Sequence, residues 1–76
     1  MKKEYYYVSK ADVIACKELA KTLIKRYLNK GYPLTTDDAA DIEYQVTKFF
    51  DCMYNDFRLD FQDWIINEIR KIYVEH

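Results

Sequence analysis

The chain has 76 residues, half of them apolar and a third charged, and a formal net charge of −1. That suffices for one hydrophobic core, so a single domain over residues 1–76 is expected, and it is too apolar for a disordered tail. One Gly and one Pro exclude collagen-like, linker-rich and turn-dense all-β designs.

The longest apolar run, Tyr5 to Val8, is far short of a membrane span, so no membrane association is expected. Lys2 and Lys3 are not followed by the long apolar stretch of a secretory signal. A cytoplasmic protein with reduced thiols is the expectation. Size scaling predicts about 13,000 Å² of accessible surface unfolded and about 5,000 Å² folded. The apolar part of that burial returns about 110 kcal/mol, close to the ordering cost of the same chain. Burial against a partner or a second copy therefore matters.

Residues 1–8, MKKEYYYV, have strand-forming side chains but no polar alternation. They read as a short strand that needs a partner, in another molecule if residues 5–8 pair, or, as the preferred reading, as an extended N-terminal arm lying across helices through its tyrosines.

The first helix is expected over about residues 10–30. Ser9 is a natural N-cap, and Val8 and Val13 have the spacing of a hydrophobic staple. Val13, Cys16, Ala20, Leu23, Ile24 and Tyr27 share one face, widened by Ile14 and Leu19. A helix so broadly apolar is either central or touches a second body. Lys30, Gly31 and Pro33 mark its end.

The second helix is expected over about 36–56, capped by Thr35 or Thr36. Asp37, Asp38 and Asp41 load its first turns with the charge that the helix dipole favours there. Ile42, Val46, Phe49, Phe50, Met53 and Phe57 form its apolar stripe. The third helix is expected over about 61–74, with Asp60 as N-cap. Phe61, Ile65, Ile69 and Ile72 share a face that Ile66 and Tyr73 widen, and Trp64 lies about 60° off it. The turn between these two helices is placed at residues 55–59; with no Gly or Pro there, the alternative is two nearly continuous helices with a kink. The whole reads as an all-α, small three-helix bundle.

Chemistry-bearing constellations are scarce. His76 is terminal and unsuited to holding a nucleophile in register. Cys16 falls in an apolar stripe, and Cys52 lies beside the polar side of the second helix, away from the centre of its stripe. Free thiols are expected, with a disulfide only if helices bring the two together. There is no CxxC and no second His for a metal. The acids of residues 51–63 lack the Gly and the ligand spacing of a calcium loop. No Gly-rich phosphate loop exists. A non-enzymatic protein without cofactor or metal is the expectation.

Charge is unevenly spread. Residues 1–30 carry eight Lys or Arg against three Asp or Glu, and residues 31–76 carry four against ten. Lys10, Lys17, Lys21 and Lys25 fall within about 80° on the first helix, extendable by Lys2, Lys3 and Arg26, and could touch several phosphates. Against this stand the acidic start of the next helix and the absence of Arg in the stripe. In the other half, Asp37, Asp38, Asp41, Glu43, Asp51, Asp56, Asp60 and Asp63, interleaved with Tyr44 and Tyr54, suit a belt that meets a basic partner.

Thirteen aromatic rings, eight of them Tyr, exceed what so small a core hides. Tyr5, Tyr6, Tyr7, Tyr44, Tyr54 and Trp64 are therefore candidate contacts with a protein partner. The expected function is a small regulatory or inhibitory protein acting by protein–protein binding, as a homodimer. The alternative is a nucleic-acid-binding regulator using Lys10, Lys17, Lys21 and Lys25. A toxin-immunity type of helical protein is a third form of the first reading. In composition the chain is similar in style to accessory proteins of phages, plasmids and low-GC bacteria. That likeness carries no motif and assigns no residue a role.

Overall fold

A computed structural model describes residues 5–31 and 33–74, and for 73 and 74 the backbone alone. It contains three α-helices, α1 Lys10–Asn29, α2 Thr36–Phe49 and α3 Asn55–Val74, and no strand among the described residues. The chain is an all-α three-helix bundle. Its accessible surface, 5526 Å², is close to the scaling expectation for this size.

Local chemistry starts α1 and α2 where expected. The Ser9 hydroxyl oxygen accepts the Asp12 N–H at 3.1 Å, and Val8 beneath it is buried. Thr35 and Asp38 form a reciprocal capping box. Thr35 N–H donates to Asp38 Oδ2 at 2.8 Å, and Asp38 N–H donates to Thr35 Oγ1 at 3.3 Å. Gly31, at φ 81°, closes α1 in the left-handed conformation, with its N–H on the Leu28 carbonyl at 3.0 Å.

The end of α2 and the start of α3 differ from expectation. α2 stops at Phe49 instead of near 56, and α3 begins at Asn55 instead of near 61. The cause is Asp51, which takes φ 55°. Cys52 N–H then reaches the Thr47 carbonyl at 2.7 Å and Asp51 N–H reaches that of Lys48 at 3.2 Å. This is a complete Schellman closure with Asp in the place that Gly usually takes. The turn therefore occupies residues 50–54, and Arg58 N–H on the Tyr54 carbonyl at 2.8 Å opens α3. Asp60 is not an N-cap. It lies within α3, where Oδ2 accepts the Tyr5 hydroxyl at 2.7 Å.

The early stop splits the stripe expected for α2. Ile42 and Val46 are fully buried, but Phe49 is 74% exposed and Met53 sits exposed on the turn. The buried face of α2 is Ala39, Ile42, Glu43, Val46 and Thr47. Cys16, Ala20 and Ile24 of α1 and Phe57, Phe61, Ile65 and Ile69 of α3 close the core from either side, with Leu34 and Cys52 filling its ends. The last series steps by four residues, the period that stacks side chains on one helix face. α2, rather than the broadly apolar α1, is the helix packed extensively against both others. Ile14, expected to widen the face of α1, is exposed instead. The suggested contribution of Tyr73 to α3, and the readings placed on Lys2, Lys3 and His76, lie outside the described residues and side chains.

A candidate protein-binding surface

The arm divides its tyrosines between inside and outside. Tyr5 and Val8 are buried, whereas Tyr6 and Tyr7 are 88% and 66% exposed. The described part of the arm is bent at residues 6–8 rather than a strand, and it lies against α3 and the α2–α3 turn through Tyr5 and Tyr7.

Tyr5 is thus a core residue, not a contact residue. Its ring meets Phe57 edge-on at 5.2 Å, and Phe57, Phe61 and Trp64 continue along α3 as near-parallel rings 5.2 and 6.0 Å apart. Burial first, and then the hydrogen bond and nearby charge of Asp60, push the Tyr5 phenol up to about 12. The hydroxyl therefore stays protonated and donating at neutral pH. This latch fixes the backbone from which Tyr6 and Tyr7 project.

Outside, a second aromatic ladder forms. Tyr6 meets Tyr7 edge-on at 4.6 Å, and Tyr7 stacks on Tyr54 at 4.9 Å with 21° between the planes. Tyr54 stands on the Schellman turn, where its N–H donates to the Cys52 carbonyl at 2.9 Å. Met53 is exposed next to it, and Asp51 and Asp56, also exposed, flank it in sequence. Two segments some fifty residues apart thus present three rings in one place. The sequence offers Tyr6, Tyr7 and Tyr54 as separate candidates; their stacking depends on the turn falling at residues 50–54 rather than 55–59. Met53, part of the apolar stripe expected for α2, is exposed instead.

The other candidates lie elsewhere. Tyr44 is partly exposed on α2 beneath Lys48, whose ammonium sits 5.5 Å from the ring centre. Trp64 is half-buried, packed against the core and covered by Lys17 at 5.3 Å. Lys10, Lys21 and Lys25 are exposed along α1, but Lys17 is half-buried and directed at Trp64. The stripe is thereby reduced, and the exposed Ile14 interrupts the same face.

The acidic belt is also thinner than the sequence suggests. Glu43 is buried and receives Arg58 Nε at 3.0 Å, Asp38 is committed to its cap, and Asp60 to Tyr5. Thr47 hydroxyl donates to the Glu43 backbone carbonyl at 2.8 Å and lies 3.2 Å from its carboxylate. The signal for Glu43 was its register: it falls with Ala39, Ile42 and Val46 on one helix face. Among the described residues no group of three or more His, Cys, Asp or Glu could hold a metal ion. No helix among them is long and apolar enough to cross a membrane.

No protein-family model matches the chain, and neither curated proteins nor solved structures provide a match to it.

Proposed function

We propose that this is a non-enzymatic interaction protein that regulates or inhibits a protein partner by binding it through Tyr6, Tyr7 and Tyr54. One observation carries the reading: the rings are exposed yet already stacked on one another and on a latched backbone. Rings held in place before binding lose little freedom on contact, which is what makes aromatic residues effective anchors. Asp51 and Asp56 beside Tyr54 favour a partner surface bearing Lys or Arg. A second copy would bring like charges to the same place, so this face is assigned to a different protein. Homodimer formation is a separate expectation, read by sedimentation of the purified chain.

The test is affinity capture with the whole chain and with a Tyr6→Ser/Tyr7→Ser/Tyr54→Ser variant, followed by titration of the purified captured protein. Deleting residues 1–8 is unsuitable, because Tyr5 and Val8 belong to the core. We expect the variant to keep its helical content and to bind at least 100-fold more weakly. Equal affinity of both forms refutes the assignment.

A further inference from the structure

The ladder of Tyr6, Tyr7 and Tyr54 carries unused bonding capacity as well as exposed rings. Elsewhere in the chain phenols are engaged: Tyr5 donates to Asp60 at 2.7 Å, and the Tyr27 oxygen accepts Gln45 Nε2–H at 3.1 Å. The hydroxyls of Tyr6, Tyr7 and Tyr54 have no hydrogen bond among the described residues. Asp51 and Asp56 are exposed and have no ion pair among them either. The Asp56 carboxylate is fixed at the start of α3, where Oδ1 accepts the Phe57 N–H at 2.8 Å, and the Phe57 ring meets Tyr5 of the arm. Flat ring faces, idle hydroxyl donors and uncompensated negative charge thus lie on the arm and on the segment that it touches. Ring centres step 4.6 Å from Tyr6 to Tyr7 and 4.9 Å from Tyr7 to Tyr54. A polyproline II helix advances about 9 Å per turn, so one turn of it matches the whole ladder.

Other modes of peptide docking fit this surface poorly. Strand addition needs a sheet edge, and there is no strand among the described residues. Recognition of phosphorylated segments needs clustered arginines, and acids stand here instead. An amphipathic helix needs a hydrophobic groove to receive it, whereas this ladder is all tyrosine and projects outward, with Tyr6 88% exposed. Polyproline II segments dock on exposed aromatic rings. Their pyrrolidine rings lie on the ring faces, and their backbone carbonyls, unpaired within that helix, accept from tyrosine hydroxyls.

We propose that the ladder binds a proline-rich segment in the polyproline II conformation with arginine at its flank, an inference that rests on the protein-binding role assigned to these rings and names their ligand. Arginine rather than lysine suits the flank, because a guanidinium both stacks on aromatic rings and pairs with carboxylates through its edge. Ligand and surface are each ordered before they meet, so little freedom is lost on contact. A single nucleic-acid strand also stacks on aromatic rings, but it would bring its phosphates toward Asp51 and Asp56.

Fluorescence anisotropy of labelled synthetic peptides on the full chain tests this. The first peptide is a proline run with arginines at one end. In the second, glycine and serine replace the prolines; in the third, lysines replace the arginines; in the fourth, glutamates do. We expect the first to bind, the second and fourth to bind roughly 10-fold more weakly or worse, and the third about 3-fold more weakly. Tyr6→Ser/Tyr7→Ser/Tyr54→Ser should abolish binding of the first. Asp51→Asn/Asp56→Asn keeps a residue that tolerates the left-handed turn and an oxygen for Phe57 N–H, and should weaken binding about 10-fold. Circular dichroism should show unchanged helical content in both variants. The proposal is overturned by a first peptide that binds no tighter than the second or the third, by equal affinity of the tyrosine variant, or by a single-stranded oligonucleotide that binds tighter than any peptide. It is also overturned by a captured protein that needs the three tyrosines yet is not displaced by saturating first peptide. In that outcome the protein-binding assignment stands and only its ligand changes.

Discussion

Arg58 on α3 donates Nε–H to Glu43 Oε2 on α2 at 3.0 Å, and so neutralises the one carboxylate on the buried face of α2. The guanidinium stays about one-third exposed, whereas the carboxylate is almost fully covered. Arg58 therefore reaches in from the rim and keeps part of its hydration.

Removing one partner should hurt more than removing both. Arg58→Met leaves a buried carboxylate beside a Thr47 hydroxyl that already donates to the Glu43 backbone carbonyl, at a cost of about 1–3 kcal/mol. Glu43→Leu/Arg58→Met replaces the pair with apolar volume and should fall within about 1 kcal/mol of the parent. Urea unfolding of the four members of this cycle checks it. Additive effects would show that the two side chains do not act together.

Alkaline pH should loosen the bundle. Tyr5 and Cys16 hold their protons to about 12 in the fold, against ordinary values of 10.0 and 9.0, and Cys52 shifts in the same direction. Burial is the first cause for all three. A proton held more tightly in the folded state makes stability complete below the ordinary value and loses it as pH rises toward the folded value. Melting temperature should thus stay level up to about pH 9 and fall between 9 and 12. Tyr5→Phe should cost about 1–2 kcal/mol at neutral pH, through loss of the bond to Asp60, and flatten the decline above pH 10. Thermal melts from pH 7 to 12 on both proteins decide this.

Asp51 occupies a backbone conformation that suits Gly better, and it places negative charge where the α2 dipole is also negative. Asp51→Gly should stabilise the chain by about 0.5–1 kcal/mol, and Asp51→Val should destabilise it by about 1 kcal/mol or more. Urea midpoints read both. A stabilised Asp51→Val would refute the left-handed closure.

At the other end of α2, Thr35→Ala removes the hydroxyl that receives Asp38 N–H and should cost about 1 kcal/mol. Asp38→Ala breaks the opposite arm of the box, and the double substitution should cost less than the sum. Amide exchange at Asp38 should accelerate in Thr35→Ala, and that at Thr35 in Asp38→Ala.

The starts of α1 and α2 were legible because the residues that make them are local: Ser9 and Thr35 carry their own capping chemistry. The end of α1 was legible for the same reason, through Gly31. The end of α2 was hidden because Asp51 performs the task of Gly, and a period of 3.6 continues across it into Met53 and Phe57 without a visible break. That one misplacement moved Cys52 from a helix margin into the core, Met53 and Phe49 out of it, and Tyr54 into line with Tyr7. In the arm, three consecutive tyrosines carry no periodicity that could separate Tyr5 from Tyr6. Only packing against Phe57 and Asp60 does so.

The Tyr5 latch also has a mechanical side. It joins residue 5 to residue 60 on the last helix, so tension applied at the front of the chain is felt first by α3 rather than by α1. An unfolding motor pulling from that end would have to rip out the phenol and Val8 before it could peel any helix, and the Tyr7–Tyr54 stack would come apart in the same event.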